Sequence, residues 1–91
     1  MTRQKILEEA VIQVTGKRAE DYGTPEDNFT NIAALWQAYT GHFYTPKDVA
    51  MMMCLMKIAR IKAGTKEDSY IDLAGYAACA GEINTTKEKG V

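Results

Sequence analysis

Residues 45–63 read TPKDVAMMMCLMKIARIKA, and the fold turns on this stretch. It opens with a helix-start signal, and from Val49 to Met56 every residue is apolar. A helix that is apolar on all sides belongs in the middle of a packed assembly. At about 1.5 Å per residue the apolar block is only ~12 Å long, well short of the ~20 residues that cross a bilayer. The stretch therefore predicts the central helix of a soluble bundle, and a subunit contact, rather than a membrane span. Two cations, Lys57 and Arg60, follow the apolar block one turn apart.

Working outward, the same start signal recurs. Thr24-Pro25-Glu26-Asp27, Thr45-Pro46-Lys47-Asp48 and Thr65-Lys66-Glu67-Asp68 are each T-x-x-D. Threonine can accept from the backbone N–H groups of the first turn, and an acid three residues on can reach back to the cap's own N–H. Proline suits the first helical position, where its missing N–H would have had no partner. These starts predict helices over 25–41, 46–63 and 66–84, closed near Gly41 and Gly64. An earlier helix over 3–15 is marked by Ile6, Leu7, Ala10, Val11 and Val14, spaced as one apolar stripe. Phe29, Ile32, Ala33, Leu35, Trp36 and Tyr39 give the second helix its apolar side, with Trp36 and Tyr39 expected in the core or a subunit contact. The small residues of the last helix, Ala74, Ala77, Ala78 and Ala80, permit close helix approach. The expectation is an all-α four-helix bundle over residues 1–84, with short connections that make successive helices antiparallel. A polar tail, residues 85–91, is expected to fray.

Composition narrows the function classes. Ninety-one residues with a 46% hydrophobic share make one globular domain, and the small size beside an apolar-all-round helix points to a homo-oligomer. A formal net charge of −1 supplies no basic field for nucleic acid, which is not an expected partner. His42 is the single histidine, which leaves little for a His-based zinc site or a catalytic triad. Cys54 and Cys79 lie far apart in apolar surroundings and read as buried reduced thiols. The N-terminus lacks the apolar run and cleavage site of a signal peptide, so an intracellular, cytoplasmic protein is expected.

The candidate site lies on the last two helices. Asp27, Asp48 and Asp68 are accounted for by capping, but Asp72 caps nothing. Ile71 and Leu73 flank it, so its carboxylate falls at the edge of the core, where a lone charge is costly. Lys57 lies about as far before the Gly64 turn as Asp72 lies after it, so antiparallel packing brings the two to similar heights. Arg60 would meet Asp68 on the same reasoning. Such a cluster can be a structural salt-bridge network, or it can be a phosphate or metal site. Tyr76 stands one turn beyond Asp72. Arg18, Glu20, Asp21, Tyr22, Glu26, Asp27 and Asn28 crowd a charged turn or short helix before the second helix, either a plain connection or a site of the kind that loops on rigid scaffolds carry.

Taken together, RAEDYGTPEDNFTNIAALW, DVAMMMCLMKIARI and EDSYIDLAGYAACAGEI resemble a family of small phage and prophage proteins of unknown function. The resemblance runs from about Arg18 to Ile83. That family in turn is similar, distantly, to the MazG-like all-α nucleoside triphosphate pyrophosphohydrolases. The resemblance implies cleavage of (d)NTPs to monophosphate and pyrophosphate with Mg²⁺ held by acidic residues on two adjacent helices. Asp72 matches the Asp of the family's E-x-x-D motif; the Glu position falls on Ser69, with Asp68 beside it. In the E-E-x-x-E motif the three Glu positions fall on Met56, Lys57 and Arg60, so charge there is reversed.

Mg²⁺ takes an octahedral shell of oxygens, and neighbouring cations oppose it. Three outcomes follow. Asp21, Glu26 or Asp27 supplies replacement ligands; Lys57 and Arg60 hold phosphate directly; or the activity is lost. The first reading is thus a nucleotide-binding or (d)NTP-hydrolysing phage protein with a degenerate metal site. In it Lys57, Arg60 and Asp21 are catalytic, and Lys57, Arg60, Tyr22, Asn28 and Tyr76 bind the nucleoside triphosphate. Asp68 and Asp72 then hold Mg²⁺. The second reading is a non-catalytic helical oligomer or adaptor that binds a phage or host protein.

Overall fold

The computed structural model describes residues 1–16, 24–64 and 67–89, the side chains of residues 25 and 84–89 excepted. Among the described residues the fold is all helical, with no strand. Its elements are α1 (Arg3–Thr15), α2 (Pro25–Thr40), α3 (Pro46–Ala63) and α4 (Glu67–Lys89). The last helix runs on to Lys89, past the residue at which the tail was expected to fray.

The helix starts show how local chemistry sets the boundaries. Thr45 accepts from the Asp48 backbone N–H at 3.0 Å, and Asp48 accepts from the Thr45 N–H at 2.9 Å, a complete reciprocal cap. Thr24 accepts from the Asp27 N–H at 3.2 Å, and no reciprocal cap forms at this first T-x-x-D among the described residues. The third, at Thr65, lies outside the described residues. A cap the pattern missed is Thr2, which accepts from the Lys5 N–H and opens α1 without any acid. Gly41 ends α2 in the left-handed region at φ 80°, which glycine tolerates without steric penalty.

The packing order departs from a simple bundle. Helix α4 packs chiefly on α3, then on α1, and grazes α2; α2 rests mainly on α3. Helix α4 therefore packs against all three of the others. Small side chains explain this. Gly75 is buried against α1, and a β-carbon built there would lie 3.2 Å from Val14 Cγ1. Larger residues on α4 would hold its neighbours apart.

The same contact corrects the expected antiparallel order. The Met1 ammonium pairs with Glu67 at 2.9 Å where α4 begins, and Val14 meets Gly75 further along. Helices α1 and α4 thus run in the same sense, whereas an up-down-up-down bundle would oppose them.

The core lies where α2, α3 and α4 meet. Phe29, Ala33, Val49, Ala50, Cys79, Ala80 and Ile83 are buried together, with Trp36, Tyr44 and Tyr76 packed on their edge. Trp36 meets Tyr44 edge to face at 5.7 Å, a favoured aromatic geometry. Tyr39, expected in the core or a subunit contact, is 92% exposed in the chain. Leu7 and Val11 of the α1 stripe are also exposed, because α1 turns only Ile6, Ala10 and Val14 toward α4. Cys54 and Cys79 are buried and form no disulfide, as their apolar surroundings suggested.

Candidate functional site

The α3–α4 hairpin brings the expected charge pair together. Lys57 Nζ lies 2.7 Å from Asp72 Oδ2, and the two side chains are 13% and 25% exposed. Lys57 sits on α3 just past the apolar block, and Asp72 sits on α4 between buried Ile71 and half-buried Leu73. At this depth each ion depends on the other, since removing one partner leaves the second charge poorly solvated. Among the described residues no buried side-chain nitrogen or oxygen lacks a hydrogen-bond partner.

One turn from each member the surroundings open. Arg60 and Asp68 are both exposed, and no ion pair joins them. The expected four-charge cluster is therefore one closed pair with an exposed cation on one side and an exposed acid on the other. Helix geometry gives the reason. Lys57 and Asp72 meet on the packed sides of both helices, whereas Arg60 and Asp68 lie nearer the Gly64 turn and are exposed to solvent. Ser69 is 5% exposed, so the inward position one turn before Asp72 carries a hydroxyl, while Asp68 beside it faces out.

Tyr76 stands one turn beyond Asp72 and packs on Phe29 of α2, ring centroids 6.2 Å apart. Asn28, next to Phe29, is half-buried. Lys57, Asp72 and Tyr76 thus lie along the α3–α4 hairpin, which meets α2 at Phe29. Asp21 and Tyr22, with the rest of the polar turn before α2, lie outside the described residues. Among the described residues no three His, Cys, Asp or Glu side chains converge as a metal-ligating group. The sequence pointed to Asp72 through its apolar neighbours. The family motif placed Ser69 at a Glu position, and nothing in the sequence signalled the Tyr44 ring against Trp36.

The Cys54 thiol is pushed above its ordinary range by burial. A buried protonated thiol is a poor nucleophile, so this cysteine adds no chemistry to the junction.

Fold and junction together define a small all-helical protein built on an α-hairpin with an internal lysine–aspartate pair. Residues 5–84 match the model of a family described as a domain of unknown function, DUF6378, and the chain belongs to that family. Its curated relatives are phage proteins. The Gene 55 protein of Mycobacterium phage L5 is 49% identical over 86 residues, covering 92% of this chain and 55% of that protein. The Gene 55 protein of Mycobacterium phage D29 is 46% identical over 81 residues, covering 88% of this chain and 54% of that protein. The chain spans about half the length of these relatives. No solved structure matches it. The resemblance to a small phage family is thereby borne out. Among the described residues no helix is long and apolar enough to cross a membrane.

Proposed function

We propose that the chain is a nucleotide-binding phage protein of MazG-like ancestry, whose phosphate contacts come from the end of α3. The observation that carries this reading is the Lys57–Asp72 pair, held at 2.7 Å one turn from an exposed Arg60. Arginine recognises phosphate bidentately, and a lysine already oriented by a carboxylate adds a second cation without further ordering. In this proposal Arg60 makes the first phosphate contact and Lys57 the second. Asn28 and Tyr76 flank the sugar and base, with Asp21 as an additional acid and Tyr22 as a further substrate contact.

Lys57 already neutralises Asp72, so Mg²⁺ would arrive with the nucleotide phosphates rather than on a preformed carboxylate cage. In this proposal Asp68, exposed at the start of α4, completes the ion's oxygen shell. Hydrolysis to the monophosphate and pyrophosphate is the activity such a site would carry if it is catalytic, in the cytoplasm of the bacterial host. A pyrophosphate-release assay over a panel of (d)NTPs with Mg²⁺ or Mn²⁺, run beside equilibrium binding, tests both steps. Binding without release makes the protein a nucleotide sensor, and neither binding nor release sinks the proposal.

A second reading is favoured by a separate observation. Leu35, Tyr39 and Phe43 on and just after α2 are 69%, 92% and 74% exposed, which suits an adaptor that docks a phage or host protein there. Surface changes on α2 would then abolish partner binding while nucleotide binding stays absent. In either reading the chain works as a homo-oligomer, because apolar side chains are left uncovered on α3 as well.

A further inference from the structure

We infer that the outer face of α3 is the self-association surface, paired antiparallel with the same face of a second copy. The inference rests on the homo-oligomeric part of the reading above and is independent of the nucleotide. Met51, Met52, Leu55, Met56 and Ile58 are each between 41% and 62% exposed, although the helix already buries Val49, Ala50 and Cys54 on its other side. Asp48, Met51, Leu55, Ile58 and Lys62 follow one another at spacings of three and four, the interval of a helix–helix seam.

Charge chooses the occupant and its direction. The seam is acidic at its first position and basic at its last, with both Asp48 and Lys62 exposed. A two-fold axis at Leu55 sets Asp48 of one copy at the level of Lys62 of the other and Met52 against Ile58. A parallel pairing would instead stack like charges at both ends. Antiparallel packing also opposes the two helix dipoles favourably, and a net charge of −1 per chain adds little mutual repulsion.

Sedimentation equilibrium on the whole chain, with Leu55→Asp and Leu55→Cys variants, tests the inference. The wild type is expected at twice its 10.1 kDa mass. Leu55→Asp should halve that mass with unchanged helical circular dichroism. Diamide oxidation should link Leu55→Cys into a covalent dimer and leave wild type unlinked, because Cys54 and Cys79 are buried. The cross-link keeps the test sharp if Leu55→Asp fails to fold. A multi-chain mass that Leu55→Asp does not change, with no cross-link through Leu55→Cys, overturns the α3 seam but leaves self-association standing. A single-chain wild-type mass at every concentration overturns both.

Discussion

Helices α3 and α4 lie side by side and use their residues in opposite ways. Helix α3 carries the longest apolar run in the chain, yet Leu55 is 62% exposed and four other large apolar side chains on the same helix are also open to solvent. Helix α4 is rich in alanine, glycine and polar residues, yet it touches every other helix. The difference teaches that side-chain size, more than apolar content, decides which helix occupies the middle. Gly75 lets α1 come within van der Waals reach of the α4 backbone, and α3 contains no glycine. An apolar run that is not at the centre is left with a second face to cover.

The largest expected effect sets the two helices directly against each other. Ile71→Ala on α4 removes a side chain that is 3% exposed and should cost about 2–5 kcal/mol by denaturant unfolding. Ile58→Ala, on the outer face of α3 and half exposed, should cost less than about 0.5 kcal/mol when measured at chain concentrations low enough to dissociate copies. Equal costs would break the comparison.

Asp72→Ala comes next. It strands the Lys57 ammonium, and with both partners partly solvated the loss should be about 1–3 kcal/mol, below the cost at a fully buried pair. A double-mutant cycle with Lys57→Met checks it; a coupling near zero would mean that the pair contributes nothing to the hairpin.

Gly75→Leu should force α1 away from α4 and cost about 1–3 kcal/mol. Ala77→Leu, at an exposed position on the same helix, should change stability by less than about 0.5 kcal/mol. If the two substitutions cost the same, close approach at Gly75 is not what places α4 in the middle.

The smallest effect is on pH dependence. Burial raises the Cys54 thiol, so as pH climbs through the ordinary thiol range the unfolded chain releases its proton before the folded chain does. The folded state then binds more protons than the unfolded, and stability present at neutral pH declines toward alkaline pH. Cys54→Ala should flatten that decline, as read from urea midpoints across the alkaline range.

How much of this was legible in the sequence depends on the range of each interaction. Helix starts are local, so Thr45 and Asp48 announced α3 correctly. The Lys57–Asp72 pair was legible too, because a short turn at Gly64 fixes the register of the two helices it joins. The side of α3 left open was not legible, since a run such as AMMMCLM has no polar face to mark which side stays uncovered. The direction of α1 was hidden for a different reason. It depends on the packing of α1 along α4, at Met1 with Glu67 and at Val14 with Gly75, residues 66 and 61 positions apart. Arg60 and Asp68 matched in height, but height along the axis says nothing of rotation about it, and both face solvent.

The most direct test of the proposed function is a thermal-shift titration with dATP, dGTP, dCTP, dTTP and dUTP, with and without Mg²⁺, on wild type and on Arg60→Ala. A ligand bound only by the native state stabilises it by roughly 2.7 kcal/mol at a hundredfold excess over Kd. The proposal predicts a base-selective rise in the wild-type midpoint that Mg²⁺ strengthens and Arg60→Ala removes. A flat response in a wild-type protein that unfolds cooperatively would contradict it, and would make the Lys57–Asp72 pair an internal strut of an adaptor.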